Sequence, residues 1–128
     1  MSRVKGKDTS LEKTMRSELF KNGLRFRKHV SVLPGKPDIV FPGARLAVFV
    51  DGDFWHGYRL SKWQHKLSDF WQRKISATRH RDQRNFAKLR RMGWRVLRVW
   101  QHEMESDLDG CVGKVISYHK RAARTARA

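Results

Sequence analysis

Apolar and polar positions repeat with a helical period at the start of the chain and then with a strand period. Residues 9–12 form a capping-box pattern, and Asn22-Gly23 ends the helix that follows. Residues 24–32 alternate, which predicts a half-exposed strand with a basic outer face. The helix carries apolar residues at Leu11, Met15 and Leu19, and the strand carries them at Leu24, Phe26, Val30 and Val32.

Two further strands are predicted on either side of a Pro-Gly turn. Asp38-Ile39-Val40-Phe41 is a short apolar run, and Pro42-Gly43 reverses the chain after it. Residues 45–51 form a nearly continuous apolar run that ends in Asp51, as expected for a central strand covered on both faces. Together the two runs predict a hairpin inside a mixed sheet.

A glycine-flanked loop over residues 52–67 precedes a long predicted helix. Ser68-Asp69 begins that helix, which reaches about Met92. One carboxylate, Asp82, lies inside its apolar stripe, and buried carboxylates need partners. The stripe comprises Trp71, Ile75, Thr78, Asp82, Phe86 and Leu89, and the opposite, basic face comprises Arg73, Lys74, Arg79, Arg81, Arg84, Lys88 and Arg91.

The last third of the chain predicts one strand and one helix. Gly93 ends the long helix, and residues 94–100 form a strand that joins the sheet parallel to the strand over 45–51, through a crossover. Ser106 and Asp109 form a second capping-box pattern. Its helix has an apolar face at Leu108, Val112, Val115, Ile116 and His119.

The predicted order α-β-β-β-α-β-α corresponds to an α/β sandwich with a mixed central sheet. A chain of 128 residues is expected to form one domain, residues 1–128. Residues 1–8 are interpreted as a basic N-terminal arm and residues 120–128 as a basic tail.

The net charge of +17 points to a polyanionic partner, because unbalanced Lys and Arg repel one another in the folded state. Nucleic acid is the first candidate. An anionic membrane surface is the alternative, but the charge is spread through the fold instead of lying on one amphipathic helix. We therefore expect a DNA-binding protein with no membrane partner.

The single cysteine, Cys111, excludes an internal disulfide and any cysteine-rich zinc site. It lies in an apolar helical pattern, which is typical of a core thiol. No signal peptide or membrane span is recognisable, so we expect an intracellular, cytoplasmic protein.

Two carboxylates at adjacent strand ends suggest a divalent metal site. Asp38 begins one strand of the predicted hairpin and Asp51 ends the other, so the two side chains are expected to be neighbours, with the carbonyl of Val50 within reach. Mg²⁺ prefers oxygen ligands of this kind and assists phosphodiester hydrolysis. The pattern predicts a metal-dependent nuclease, although two aspartates at strand ends also occur by chance.

The loop after Asp51 supplies further candidate chemistry. His56 could act as a general base or acid near the metal, with Asp82 orienting it; a surface histidine and a structural ion pair to arginine are the alternatives. Phe54, Trp55 and Trp71 could wedge between bases, or could belong to the core. Glu12 is either the capping partner of Thr9 or a residue pointing toward the site.

Several sequence blocks resemble the very-short-patch-repair (Vsr-type) mismatch endonucleases, a branch of the restriction-endonuclease-like fold. The blocks span about residues 3–102 in the family's order. They are GKDTSLEK (6–13), GLRFR (23–27), LPGKPD (33–38), GDFWH (52–56), FWQRKI (70–75), RD (81–82) and GWRVLRVW (93–100).

The resemblance implies roles for individual residues. Asp38 corresponds to the metal-binding aspartate, Val50 to a backbone-carbonyl ligand, His56 to the catalytic histidine with Asp82 as its partner, and Glu12 to a nearby acidic position. Phe54, Trp55 and Trp71 correspond to an aromatic wedge that enters DNA beside a T:G mismatch. We predict phosphate contacts from Lys7, Lys36, Arg73, Lys74, Arg79 and Arg81.

Two departures from the family pattern change the expected site. Relatives often carry histidine where this chain has Asp51, and aspartate there could ligate the metal directly. Many relatives also hold a structural zinc, but the corresponding positions here are Asp53, Tyr58, Leu60 and His102, which lack the usual thiolates. We therefore expect no structural zinc, with packing by Trp63 and other aromatics replacing it.

The resemblance implies a Mg²⁺-dependent endonuclease, with Mn²⁺ able to substitute, that nicks duplex DNA 5′ to the thymine of a T:G mismatch in repair. Two alternatives are a Vsr-like endonuclease cutting a defined sequence or structure without a repair role, and a non-catalytic DNA-binding module. The retained acids argue against the module. Double-stranded DNA is the expected partner, mismatch-repair proteins are further candidates, and single-strand nicking suggests a monomer acting at the nucleoid.

Overall fold

A four-stranded mixed sheet with helices on both faces forms the protein. The computed structural model describes residues 10–28 and 30–127. In chain order the elements are α1 (Ser10–Lys21), β1 (Arg27–Lys28), β2 (Ile39–Phe41), β3 (Leu46–Asp51), α2 (Asp69–Arg91), β4 (Arg95–Trp100), α3 (Gln101–Ser106) and α4 (Leu108–Arg127). The predicted α/β architecture with a mixed central sheet is confirmed.

The strands lie in the order β1-β2-β3-β4. β1 and β2 are antiparallel, and so are β2 and β3, with Ile39 opposite Val48. β3 and β4 are parallel, with Asp51 opposite Trp100. The predicted hairpin and the parallel crossover are both present. β3 is therefore central, and its last residue, Asp51, lies at the end of the sheet where Asp38 immediately precedes β2.

Each face of the sheet has its own core. Side chains of β2, β3 and β4 that face α1 and α4 form the larger core, which includes Met15, Leu19, Val48 and Val115, each with 0% of its surface exposed. On the other face Ala47, Phe49, Phe86 and Leu89 pack between β3 and α2. Full burial of each aliphatic or aromatic side chain contributes about 1.5–3 kcal/mol, offset by conformational entropy.

The long helix α2 follows the predicted pattern closely. The Ser68 side chain accepts a hydrogen bond from the Trp71 amide at 3.4 Å and so caps its first turn. Ile75, Phe86 and Leu89 are buried on its inner stripe. The seven basic residues predicted for its outer face are all exposed. The helix therefore presents Asp82 to the sheet and a row of cations to solvent.

Two local predictions were wrong, and one short helix was not predicted. The strand predicted over residues 24–32 is reduced to Arg27–Lys28, and Val32 is 88% exposed instead of facing the core. Ser106 does not cap α4: the Asp107 carboxylate accepts the Gly110 amide at 2.9 Å and takes that position. The short helix α3 was not predicted, because six residues carry too little periodicity.

Three further features concern the ends of the chain and its helices. α4 continues through residues 120–127, the segment interpreted as a basic tail, with Ala122 buried in the core. The predicted arm over residues 1–8 and the capping residue Thr9 lie outside the described residues. Within the described residues, no helix has the length and apolarity needed to cross a membrane.

Candidate active site

Six ionisable side chains from six parts of the chain converge where β3 and β4 end and β2 begins. α1 contributes one, the start of β2 one, the end of β3 one, the following loop one, α2 one and β4 one. They are Glu12, Asp38, Asp51, His56, Asp82 and Arg98. The first five are the predicted catalytic residues, so the fold brings together residues up to 70 positions apart (Glu12 to Asp82).

Asp38 is fastened to the end of β3 by two hydrogen bonds. Its amide donates to the carbonyl of Val48 at 3.0 Å, and its Oδ2 accepts the amide of Val50 at 2.6 Å. The predicted proximity of Asp38 and Val50 therefore follows from the antiparallel register of the hairpin. This clamp holds the carboxylate at a fixed place on the sheet edge.

Negative charge accumulates around Asp38. Burial raises the pKa of Asp38 to about 8, and the nearby carboxylates of Glu12 and Asp51 act in the same direction, against the lowering effect of the Val50 hydrogen bond. Such a carboxylate is ionised at neutral pH only when a cation compensates it. Its oxygen donors and this surplus of negative charge are suited to a hard divalent cation.

Glu12 faces this acidic site instead of the solvent. It lies on the first turn of α1, is 6% exposed, and pairs with Arg16 one helical turn later at 3.5 Å. A side-chain hydrogen bond also links it to Asp38. Glu12 therefore lies beside Asp38, and its capping interpretation involves Thr9, which is outside the described residues.

His56 is held between two aspartates. Its Nδ1 lies 2.7 Å from Oδ2 of Asp82, and its Nε2 lies 3.5 Å from Oδ1 of Asp51. An ionised carboxylate can only accept hydrogen bonds, so the short contact assigns a proton to Nδ1. The imidazole side chain is 13% exposed and therefore has restricted contact with water.

Asp82 is ionised in this environment. Burial by itself would raise its pKa, but the hydrogen bond and charge of His56 and the charge of Arg98 outweigh burial, so the pKa of Asp82 lies below its ordinary value. The carboxylate predicted from the helical stripe thus has two partners. It contacts His56, the residue for which the sequence analysis proposed an orienting role, and it also forms the ion pair with arginine that was the alternative.

Arg98 is a member of this cluster that the sequence analysis did not name as a site residue. From β4 its Nε donates to Asp51 Oδ2 at 2.7 Å, and its Nη2 donates to Asp82 Oδ2 at 2.6 Å. Its sequence signal was a charge on the strand face shared with Trp94 and Val96, which pack toward α2. Asp82, a carboxylate inside the apolar stripe of α2, was the corresponding signal on the helix. Pairing these two opposite charges between strand and helix would have predicted the contact.

Asp51, His56 and Asp82 form a group that could hold a metal ion. Each offers one ligand atom, and these three atoms all lie within 4.8 Å of one another. Within residues 10–28 and 30–127, no other group of three or more His, Cys, Asp or Glu side chains meets the same condition. Asp38 is not part of it, so Asp51 stands between this group and the acidic pair of Glu12 and Asp38.

A small pocket opens beside His56. Its volume is about 190 Å³, and it lies between the glycine-flanked loop, α2 and β4. Arginine side chains contribute much of its wall, together with aromatic and polar groups. The lining includes His56, Tyr58, Arg59, Arg79, Gln83, Arg98 and Trp100. A pocket with this composition can accommodate an anion next to the imidazole.

The loop aromatics form one cluster with the start of α2. Phe54 lies 5.3 Å from Trp55 and 5.8 Å from Trp71, and the last two lie 5.5 Å apart, between ring centroids. Trp63 stacks on Phe54 at 5.6 Å with an interplanar angle of 21°. Phe54 is 39% exposed, whereas Trp55 and Trp71 are half-buried. The three predicted wedge residues are therefore adjacent, with Phe54 outermost.

Exposed cations flank this aromatic cluster along α2. Arg73, Lys74, Arg79 and Arg81 are exposed, and so is Lys36, which has a positive φ of 51° in the turn before β2. Lys7, the remaining predicted phosphate contact, lies outside the described residues. The described candidates are thus available to a polyanion, while their contacts with DNA stay a prediction.

The four positions for which the family resemblance raised the question of a structural zinc contact one another or the core directly. Nδ1 of His102 lies 3.0 Å from Oδ1 of Asp53, and the His102 ring lies 4.2 Å from that of Tyr58. Leu60 is buried, and Trp63 donates its indole proton to the Tyr58 carbonyl at 2.9 Å. These contacts tie the loop to the start of α3. The absence of a structural zinc stays a prediction.

Comparisons with known proteins agree with this geometry. A sequence model of the family described as DNA mismatch endonuclease Vsr matches residues 1–62. The type II nicking enzyme V.XorIIP of Xanthomonas oryzae pv. oryzae is 51% identical over 110 residues, which cover 84% of this chain and 80% of that protein.

Two other relatives extend the comparison. The DNA mismatch endonuclease Vsr of Escherichia coli K12 is 39% identical over 103 residues, covering 79% of this chain and 66% of the relative. The type II nicking enzyme V.NmeDIP of Neisseria meningitidis serogroup C is 35% identical over 121 residues, which cover 90% of this chain and 80% of the relative.

Proposed function

Because the chain belongs to the Vsr family of DNA endonucleases, we propose that it nicks one strand of duplex DNA 5′ to the thymine of a T:G mismatch, using Mg²⁺. The observation that best supports this proposal is the fixed arrangement of Asp38, His56 and Asp82 at one end of the sheet. The family acts on DNA, and the charge of +17 is consistent with a duplex partner.

Asp38, Asp51 and the carbonyl of Val50 are the proposed ligands of the metal ion. The fit rests on chemistry visible in the protein: all three offer oxygen ligand atoms, and burial, together with the nearby charges of Glu12 and Asp51, raises the pKa of Asp38, an effect that a bound cation would counteract. When bound, Mg²⁺ would polarise the scissile phosphate and lower the pKa of a bound water. Mn²⁺, which accepts the same donors, is expected to substitute.

His56 is the proposed proton-transfer group. Asp82 accepts a hydrogen bond from the protonated Nδ1 of His56. The other ring nitrogen, Nε2, faces Asp51 and is therefore the one that can take or give a proton. The ionised state of Asp82 favours the tautomer needed for this role and stabilises a transient imidazolium. Arginines of the adjoining pocket, including Arg59 and Arg79, would bind the phosphate during this step.

The aromatic cluster is proposed to open the duplex beside the cleavage site. Phe54 is the most exposed ring of the loop and rests on Trp63, which supports it from behind. Apolar rings of this kind can insert at a base step whose stacking is already weakened by a mismatch. The basic face of α2, through Arg73, Lys74 and Arg81, would then follow the phosphate backbone.

A second candidate is an endonuclease that nicks a defined duplex sequence and has no repair role. The relative V.XorIIP, 51% identical, carries the name type II nicking enzyme, and that name favours this alternative. The catalytic chemistry would be the same. Only the feature that selects the site, mismatch or sequence, would differ.

One nicking assay separates these possibilities. Duplexes carrying a T:G mismatch, the matched T:A pair in the same sequence, and the single strand alone are incubated with and without Mg²⁺, and products are mapped at nucleotide resolution. Nicking of T:G alone, with Mg²⁺ and 5′ to the thymine, supports the repair function. Equal nicking of T:G and T:A in one sequence favours the second candidate, and equal cutting of all substrates rejects both.

A further inference from the structure

Arg98 makes a two-pronged contact that closes a ring of four ionisable side chains. Its Nε and Nη2 donate to Asp51 and Asp82 at 2.7 and 2.6 Å, while His56 bridges the same two carboxylates from the other side at 3.5 and 2.7 Å. The guanidinium lies over the ring of Trp100 at 4.2 Å and near that of Phe86 at 5.1 Å. Hydrogen bonds and aromatic packing thus fix it in one position.

The two carboxylates that Arg98 joins, together with His56, are the three residues that could hold a metal ion. Two carboxylates and an imidazole with ligand atoms within 4.8 Å form a reasonable donor set for a divalent cation such as Mn²⁺. Arg98 supplies a positive charge to that set instead. Oδ2 of Asp82 already accepts both Arg98 and His56, and Oδ2 of Asp51 already accepts Arg98.

We propose that the guanidinium of Arg98 takes the place of a cation in the Asp51–His56–Asp82 group and keeps a second metal ion out of that group. This inference rests on the proposed function, in which the metal binds at Asp38 and the Val50 carbonyl with Asp51. Arg98 then has two consequences. It leaves the metal-free protein with ligands for one metal ion, and it keeps His56 available for proton transfer instead of metal ligation.

The burial of the two carboxylates that Arg98 contacts distinguishes this arrangement from an ordinary surface ion pair. The side chains of Asp51 and Asp82 are 8% and 14% exposed, so their two negative charges are poorly hydrated and need a nearby cation. A guanidinium meets that need with a planar fork that reaches both carboxylates at once. Lysine, with a single ammonium, would lack the second fixed donor.

Removal of the guanidinium should therefore create a metal site. In Arg98→Met a side chain of similar length retains packing on Trp100 but leaves both carboxylates uncompensated. In Arg98→Gln one hydrogen-bond donor remains without the charge. We expect wild-type protein to bind one Mn²⁺ per chain, and both variants to bind two, measured by Mn²⁺ titration with electron paramagnetic resonance in the absence of DNA.

A matched double variant identifies the new site. Arg98→Met combined with Asp82→Asn should return the count to one Mn²⁺ per chain, because it removes a ligand of the second site and spares Asp38. Thermal melting gives an independent readout: Mn²⁺ should raise the Tm of Arg98→Met more than that of the double variant. If Arg98→Met folds only with Mn²⁺, the same comparison is made with Arg98→Gln.

The possible outcomes separate the two proposals. One Mn²⁺ per chain in wild type, Arg98→Met and Arg98→Gln alike would overturn the role of Arg98 and leave the metal at Asp38 standing. Two in the wild type would also overturn it. No Mn²⁺ in wild type but one in Arg98→Met, lost again with Asp82→Asn, would uphold the role of Arg98 and count against the metal site at Asp38.

Discussion

Nδ1 of His56 and Oδ2 of Asp82 lie 2.7 Å apart, although one residue belongs to an irregular loop and the other to the middle of a 23-residue helix. The contact fixes the tautomer of the imidazole and the direction of its second nitrogen. The histidine therefore has a defined orientation before any substrate binds, which reduces the reorganisation that catalysis requires.

Substitution of Asp82 by asparagine should impair catalysis without unfolding the protein. The amide can present its NH₂ group to Nδ1, which favours the wrong tautomer, and it cannot stabilise an imidazolium. We expect the single-turnover nicking rate to fall about 10²–10⁴-fold, with little change in DNA affinity. Asp69→Asn, an exposed change in the first turn of the same helix, is the control. A rate within twofold of wild type would exclude Asp82 as the orienting group.

The raised pKa of Asp38 predicts how the stability of the metal-free protein depends on pH. Between the ordinary pKa of 3.8 and about 8, the folded state keeps a proton on Asp38 that the unfolded state has released. This contribution to the free energy of unfolding is complete below pH 3.8 and is lost as pH rises through 8. Asp38→Asn cannot titrate, and its amide oxygen can still accept the Val50 hydrogen bond.

Chemical unfolding of wild type and Asp38→Asn at pH 5, 6.5 and 8, without metal, measures this effect. The stability of wild type relative to the variant should decline steadily over the series. Mg²⁺ binds the ionised form, so it should stabilise wild type more at pH 8 than at pH 5 and leave Asp38→Asn unaffected. Parallel curves for the two proteins would contradict the assignment.

Replacement of Phe54 by alanine tests the wedge. If the ring stacks on a base, its loss removes about 1–3 kcal/mol of transition-state stabilisation, or a roughly 5- to 150-fold lower kcat/KM on the preferred duplex. Phe20→Ala is a suitable control, because Phe20 is also exposed, at 57%, but lies near the end of α1. Equal small effects of the two substitutions would indicate that Phe54 only packs in the loop.

The basic face of α2 predicts a specific change in salt dependence. Lys74→Gln and Arg81→Gln should each weaken binding to matched and mismatched duplexes by the same factor. Each should also reduce the slope of log K against log salt by about 1, because one phosphate contact is lost. Arg121→Gln, on α4, serves as a charge-matched control. An unchanged slope for Lys74→Gln and Arg81→Gln would show that this face does not contact phosphates.

Gly57 positions the histidine loop against α2, and alanine should not be tolerated there. Its φ is +69°, and an added Cβ would lie 2.5 Å from Cδ of Arg79 and 3.0 Å from Cγ2 of Ile75. We expect a loss of about 1–2 kcal/mol from the backbone alone, with a lower nicking rate as His56 shifts. Gly43→Ala, where a Cβ meets nothing within 4 Å, is the control and should melt as wild type does.

Most of the helices and the central strands could be predicted because their signals are local. The Ser68 cap, the stripe of α2 and the buried run of β3 each depend on residues within a few positions of one another. The strand around Val32 could not be predicted correctly, since alternation continues in the sequence beyond the point where a neighbouring strand is available to pair. Ser106 and Asp107 are adjacent, and both residue types are good helix caps. The sequence pattern therefore did not distinguish Asp107, the observed cap, from Ser106.

The sequence predicted most of the residues of the candidate site, but it did not predict the contacts that Arg98 makes among them. The sequence by itself determined that Asp38 and Asp51 lie at the same end of the hairpin, since antiparallel pairing places the start of one strand beside the end of the other. Only the tertiary structure decided that Arg98 joins Asp51 to Asp82. That contact requires β4 to lie parallel to β3 and α2 to cover the same face, and no spacing along the chain encodes the distance between a strand and the helix packed upon it.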